Sequence, residues 1–156
     1  MALAACGGSS GPKVVTTTKL RADEIPAGVA AVEKARGGAQ HYTEINATPD
    51  GVNLFVVVDA THEVSYFFTD KGLGAASAPQ AQGGTPYVLD GVDLTIGHQL
   101  IIDTQAKFVG SAVTQISIVT TSDLGVVWGL KSRSTKGGVL NVLYGPTGHL
   151  LSVAPE

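Results

Sequence analysis

The chain contains two stretches with the same order of residue types, and this internal repetition restricts its fold more than any other feature. Residues 43–52 carry Thr-Glu-Ile followed by Thr-Pro-Asp-Gly-Val, and residues 114–126 carry Thr-Gln-Ile followed by Thr-Ser-Asp-Leu-Gly-Val. Residues 64–72 correspond in the same way to residues 139–148. Self-similarity of this kind is typical of a structural unit that occurs twice.

The repetition divides most of the chain into two halves. We predict a single domain over residues 19–156, made of repeats at about 19–79 and 87–156. Residues 75–86 (Ala-Ala-Ser-Ala-Pro-Gln-Ala-Gln-Gly-Gly-Thr-Pro) are small and polar, which indicates an exposed linker between the repeats. A chain of 156 residues is about one domain by size.

Each half begins with a helix candidate. In the first, Ile25, Val29 and Val32 recur at helical spacing, and Gly37 and Gly38 end the pattern. The second candidate covers about residues 95–109 and ends at Gly110. Its pattern is weaker, because part of it also reads as a strand.

Alternating apolar residues after each helix predict strands, and Gly-containing turns between them predict hairpins. Residues 52–58 are almost all apolar, which is typical of a central strand or one covered on both faces. Trp128 shares an apolar face with Val126 and Leu130, which predicts a core position; the alternative is a Trp128 that lines a binding face beside Gly129. The predicted fold class is α+β: two tandem copies of a helix and a three- to four-stranded antiparallel meander, with the helices on one face of a curved sheet.

Charge and hydropathy exclude two classes of protein. Only 15% of residues are charged, the net charge is −3, and the ten basic residues are scattered. A nucleic-acid binder needs a basic patch, so we expect no nucleic-acid partner. No apolar stretch approaches the roughly 20 residues that span a bilayer, so any membrane attachment requires an anchor.

The single cysteine lies in a short motif near the N-terminus. Leu3, Ala4, Ala5 and Cys6 precede a Gly- and Ser-rich stretch. This sequence resembles the lipobox of bacterial lipoproteins, in which the cysteine receives a diacylglyceryl group after an upstream signal peptide is removed. The resemblance implies lipidation at Cys6, a flexible tether over residues 1–18, and a lipid anchor on the extracytoplasmic face of the cell membrane.

The predicted architecture also resembles two groups of small envelope domains. PepSY-like domains and β-lactamase-inhibitor-like domains share a helix and a meander, and the resemblance here is one of architecture only. The abundance of Ala, Val and Gly beside few Lys and Arg is typical of an actinobacterial source.

No residue pattern predicts catalysis or metal binding. His41, His62, His98 and His149 have no partner at metal-ligand spacing, and no nucleophile motif such as Gly-x-Ser-x-Gly occurs. Acidic pairs at the helix starts fit capping and the helix dipole. We therefore expect no enzyme and no cofactor.

Aromatic side chains are the remaining candidates for a functional surface. Phe67 and Phe68 are consecutive, so a strand turns one of them away from the face that the other occupies. Phe67 and Tyr87, which follows the linker, are the candidate partner-binding residues. The sequence thus predicts a non-catalytic protein-interaction or sensor module of the envelope, with an envelope protein as partner; the alternative is a carrier for an apolar ligand such as a lipid.

Overall fold

The computed structural model describes residues 19–156, and within them a large antiparallel sheet carries two short helices. The α+β class is confirmed, although the helices are the minor part. Each helix continues directly from a 3₁₀ turn, at Ala22–Glu24 and at Leu94–Ile96. The helices are α1 (Ile25–Arg36) and α2 (Gly97–Lys107). The strands of the described residues are β1 (Tyr42–Ala47), β2 (Val52–Val57), β3 (His62–Thr69), β4 (Gly72–Leu73), β5 (Gln80–Ala81), β6 (Ser111–Thr121), β7 (Gly125–Ser134), β8 (Val139–Tyr144) and β9 (Leu150–Pro155).

Both helices form where the sequence predicted them. α1 buries Ile25, Val29 and Val32, and Gly37, the residue that caps its C-terminus, has a φ of 84°. That left-handed conformation suits glycine because a Cβ would strain it. α2 buries Leu100 and ends three residues before Gly110, so the helical interpretation of the second half is confirmed.

The sheet is ordered β4-β3-β2-β1-β6-β7-β8-β9, and β5 pairs with β3 beside β4. The first long strands of the two halves, β1 and β6, therefore meet antiparallel in the middle. Their register centres on Asn46 opposite Ser117, with Ile45 opposite Ile118 and Ala47 opposite Ile116.

Both helices pack on the same face of this sheet. Paired residues on neighbouring strands share a face, and one row, buried except for the half-buried Tyr66, crosses six strands. A Cβ added to Gly28 of α1 would touch Leu54, and one added to Gly97 of α2 would touch Trp128. The members of this row are Tyr66, Leu54, Ile45, Ile118, Trp128 and Tyr144.

Residues 75–86, predicted as a linker, are mostly exposed, and part of this segment is hydrogen-bonded along the edge of β3. Ser77 N donates to Ser65 O at 2.9 Å, and β5 continues this contact. For Gly51, in the turn before β2, the hairpin sequence Pro-Asp-Gly predicts a positive φ. Gly51 does not have a positive φ; a Cβ there would instead overlap the carbonyl oxygen of Phe68.

Candidate functional site: the helix-free face of the sheet

The face of the sheet opposite α1 and α2 is the candidate interaction surface, which we call the helix-free face. Its central row runs next to the buried row and crosses seven strands. Because each residue lies opposite the next in the strand register, their side chains emerge side by side. The row consists of Phe67, Asn53, Asn46, Ser117, Gly129, Leu143 and Ser152.

Two asparagines and a glutamate form a hydrogen-bonded group in the first half of this face. Asn53 Nδ2 donates to Asn46 Oδ1 at 2.9 Å, and Asn46 Nδ2 donates to Glu44 Oε1 at 2.9 Å. All three side chains are half-buried. Each amide nitrogen carries a second N–H, so the group keeps hydrogen-bonding capacity that an approaching molecule can use.

Apolar side chains lie on both sides of these amides. Phe67 is 36% exposed at one end of the central row, and Leu143 is half-buried near the other end. Phe55 and Val57 of β2 are half-buried on the same face. The nearly continuous apolar run of β2 predicted a central strand or one covered on both faces; β2 is central, between β3 and β1, and in the described residues no helix covers this side. An apolar surface of this kind marks an interaction site in many soluble proteins.

Phe67 is held in place by the turn before β2. A Cβ on Gly51 would lie 3.0 Å from Phe67 Cζ, so the ring lies close against this turn. Phe68 points to the opposite face, where its side chain lies against Gly28 of α1. The alternation of the two aromatic residues is therefore confirmed, and it directs Phe67 to the helix-free face.

Tyr87, the second candidate residue, does not contribute to the surface. Its side chain is only 5% exposed, and its hydroxyl donates to the carbonyl oxygen of Ile118 at 2.7 Å. Burial, followed by the nearby Glu44 carboxylate, raises the pKa of Tyr87 far above its usual range. Its backbone pairs with Tyr42 through two hydrogen bonds of 2.8 Å. This correction follows from the docking of residue 87 against β1, which no local pattern in the sequence encodes.

A buried acidic residue that no sequence pattern indicated lies at one corner of the helix-free face. Glu63 is 2% exposed and accepts hydrogen bonds from Thr43 Oγ1 and from Gln80 Nε2, the latter at 3.1 Å. Gly83 covers it, since a Cβ there would lie 3.5 Å from Glu63 Oε1. None of the ion pairs found within residues 19–156 includes Glu63. These contacts attach the 80–84 segment to the sheet.

Two carboxyl groups at exposed turns have a lowered pKa, and in both cases hydrogen bonds within the turn cause it. The backbone N–H of Thr61, followed by the side chain of His62, lowers the pKa of Asp59 to about 2. Hydrogen bonds from the hydroxyl and N–H of Thr95 lower the pKa of Asp93 at the start of the second helical segment. Within the described part of the chain, no group of three His, Cys, Asp or Glu residues is placed to hold a metal ion.

Cys6, the predicted lipidation residue, lies outside the described residues. Over residues 19–156, neither helix has the length and apolar character needed to cross a bilayer. The chain matches no known protein family, no curated protein and no solved structure.

Proposed function

We propose that this chain is an extracytoplasmic lipoprotein, anchored to the cell membrane through Cys6, whose helix-free face binds a protein partner in the cell envelope. It acts as a non-catalytic protein-interaction or sensor module. The observation that carries the proposal is the helix-free face itself, where aromatic, aliphatic and amide side chains are half-buried and no helix of the described residues covers them.

The composition of this face suits a protein partner. Protein interfaces combine apolar anchors with polar groups that satisfy one another. Phe67 supplies an aromatic anchor, while Asn46 and Asn53 supply amides that are already oriented by their mutual hydrogen bond. Amides of this kind recognise backbone and side-chain groups and do not transfer protons at neutral pH, which supports a role in recognition.

The finer description of the fold, an internal duplication, is part of this proposal. Each half has a 3₁₀ turn that leads into an α-helix, followed by a hairpin. Both hairpins begin with a bulge, at Thr43 and at Thr114, and these two residues correspond in the sequence repeat. An offset of 71 residues maps Asn46 onto Ser117, and these two residues face each other where β1 pairs with β6.

A duplication with this offset would have a local two-fold axis at the centre of the helix-free face. The same offset exchanges the pairs Ile45–Ile118 and Ala47–Ile116. Within this proposal, the resemblance to PepSY-like and β-lactamase-inhibitor-like domains concerns the architecture only.

Site-specific photo-crosslinking in the native membrane tests the interaction. A photoreactive phenylalanine at Phe67 or Asn53 should give the same adduct, seen as one new band of fixed size. The same probe at Lys34, an exposed residue of α1, is the control because α1 packs on the other side of the sheet.

A chain that carries both the probe at position 53 and the substitution Phe67→Glu should form no adduct, because the substitution places a charge at the aromatic anchor. Equal adducts from positions 34 and 53, or none from either helix-free position, would contradict the proposed function.

A carrier of an apolar ligand is the second candidate. A surface cleft of about 370 Å³ beside α2, formed in part by Leu20, Ile101 and Val113, favours it. Native mass spectrometry of the protein purified from its own host would detect a bound lipid, and a spectrum of the unliganded chain alone would argue against this function.

A further inference from the structure

Exposed apolar side chains lie on α2 and just after its end. Leu100 and Thr104 face the sheet, where Thr104 Oγ1 lies 2.9 Å from Tyr144 Oη. Ile102, in contrast, is 44% exposed, and Val109, two residues after the end of the helix, is 91% exposed. The exposure of an aliphatic side chain to water is unfavourable, and its burial would lower the free energy.

The flank of α2 that carries Ile102 borders the cleft of about 370 Å³. Leu20, Ile101, Ile102 and Val113 supply the apolar lining, and the exposed Lys19 and His98 lie beside them. The cleft thus combines aliphatic surface with a cationic side chain, which suits the boundary between acyl chains and phosphate headgroups of a bilayer.

The chain enters the described domain at this cleft. Lys19, the first described residue, is part of its lining. Cys6 is thirteen residues earlier in the sequence, and thirteen residues reach at most about 45 Å when fully extended. A lipid on Cys6 therefore keeps the bilayer within this distance of Lys19.

The tether also explains why a small apolar surface is sufficient. A stable interface between two free proteins buries roughly 800 Å² on each partner, far more than the aliphatic side chains beside the cleft offer. A surface that is covalently held near the bilayer needs little affinity of its own, because its effective concentration there is high.

From these observations we infer that the flank of α2 beside the cleft, with Ile102 and Lys19, is the side of the domain that contacts the phospholipid bilayer. The inference rests on the proposed anchoring of Cys6. Because α2 and the helix-free face lie on opposite sides of the sheet, this orientation leaves the helix-free face clear of the membrane and accessible to a protein partner.

Lipid-dependent quenching at single sites tests this orientation. The full chain, produced with a signal peptide in a lipoprotein-processing host, is reconstituted into vesicles of phosphatidylcholine and phosphatidylglycerol. A fluorophore is attached to the new thiol of the variant Ile102→Cys. Cys6 is not labelled, because acylation blocks its sulfur. Quenching by headgroup nitroxide lipids is then compared with that of Leu124→Cys.

Leu124 is a matched control. It is 45% exposed, close to the 44% of Ile102, and it lies in the turn after β6. At roughly 3.4 Å per residue, that turn is about 30 Å along β6 from Val113 in the cleft.

The expected result is a severalfold stronger quenching at position 102 than at position 124. Flotation of the vesicles separates the two hypotheses. A chain that does not float with the vesicles overturns the proposed anchoring and this inference with it, whereas a chain that floats but is quenched equally at both positions, or more strongly at position 124, overturns only the orientation.

Discussion

Two buried tyrosines near the start of β1 differ in one hydrogen bond. Tyr42 and Tyr87 are 0% and 5% exposed, and their ring centroids are 6.4 Å apart. The Tyr87 hydroxyl donates to Ile118 O, whereas the buried Tyr42 hydroxyl has no partner among the described residues. The pair therefore separates the contribution of a hydroxyl hydrogen bond from that of an aromatic ring.

The substitution Tyr87→Phe should lower the free energy of unfolding by about 1 kcal/mol, because it removes a buried hydrogen bond and keeps the ring. Tyr42→Phe is the control. Removing a buried hydroxyl without a partner should leave stability unchanged or increase it. Urea unfolding of both variants measures the difference, and a larger loss for Tyr42→Phe would contradict the hydrogen-bond assignment.

The same tyrosines should make the fold sensitive to alkaline pH. Burial, the largest cause, raises the pKa of both Tyr42 and Tyr87 in the folded state, and nearby carboxylates add to it. The unfolded chain loses these protons near the ordinary tyrosine pKa of about 10, while the folded chain keeps them. Their contribution to stability is thus complete below about pH 10 and is lost as the pH rises above it.

Unfolding in urea at pH 8 and pH 11 tests this pH dependence. The loss of stability between the two pH values should be smaller in the double variant Tyr42→Phe/Tyr87→Phe than in the unmodified protein. An equal loss in both proteins would show that other groups cause the alkaline sensitivity.

Trp128 is a core residue, as the sequence predicted from its position between Val126 and Leu130. It is 0% exposed, and its ring lies next to Gly97, the first residue of α2. Trp128→Ala should lower the free energy of unfolding by about 3–5 kcal/mol. Trp128→Phe should cost clearly less, because the indole Nε1 has no hydrogen-bond partner in the described structure. Chemical unfolding measures both, and similar losses would mean that the indole N–H contributes an interaction.

At the scale of elements, two helix glycines face the sheet with different amounts of space. A Cβ on Gly28 would lie 3.4 Å from Leu54 and Phe68, an ordinary contact, whereas one on Gly97 would lie 3.1 Å from the Trp128 ring. Gly28→Ala should raise the melting temperature, because alanine favours helix by about 1 kcal/mol. Gly97→Ala should lower it through overpacking. Thermal unfolding of both variants checks the contrast, and an increase for Gly97→Ala would show that α2 moves freely on the sheet.

The helices and hairpin turns of this fold could be predicted, because their signals are local. Helical spacing located α1, the correspondence between the repeats decided for a helix at α2, and Gly72 and Gly148 have the positive φ that their turns require. The bulges at Thr43 and Thr114 could not be predicted individually. An extra residue in one strand is defined only by its partner strand, so no pattern within the strand reveals it.

At the scale of the whole molecule, the order of the strands in the sheet could not be predicted from the sequence patterns. The pairing of β1 with β6 joins residues 69 to 73 positions apart, and neither strand has a local sequence feature that selects the other. The same limit applies to the candidate site. Alternation directed Phe67 to one face, but the burial of Tyr87 and Glu63 depends on the path of residues 80–87, which is set by contacts between distant segments.

The proposed anchor on Cys6 would determine where the whole domain is located, and its removal gives a direct prediction. With its signal peptide present, the protein should sediment with membranes, because a diacylglyceryl group supplies two acyl chains and stable attachment. Cys6→Ala should move it to the soluble fraction. The control Ser10→Ala, four residues further along the same segment, should leave the protein with membranes.

Fractionation after washing the membranes with high salt distinguishes lipid anchoring from electrostatic adsorption, since salt screens the latter. The weak apolar flank of α2 cannot hold the domain alone, so release by Cys6→Ala should be nearly complete. If Cys6→Ala remained with the membranes after the wash, an attachment other than lipid would hold the protein, and the proposed location would have lost its basis.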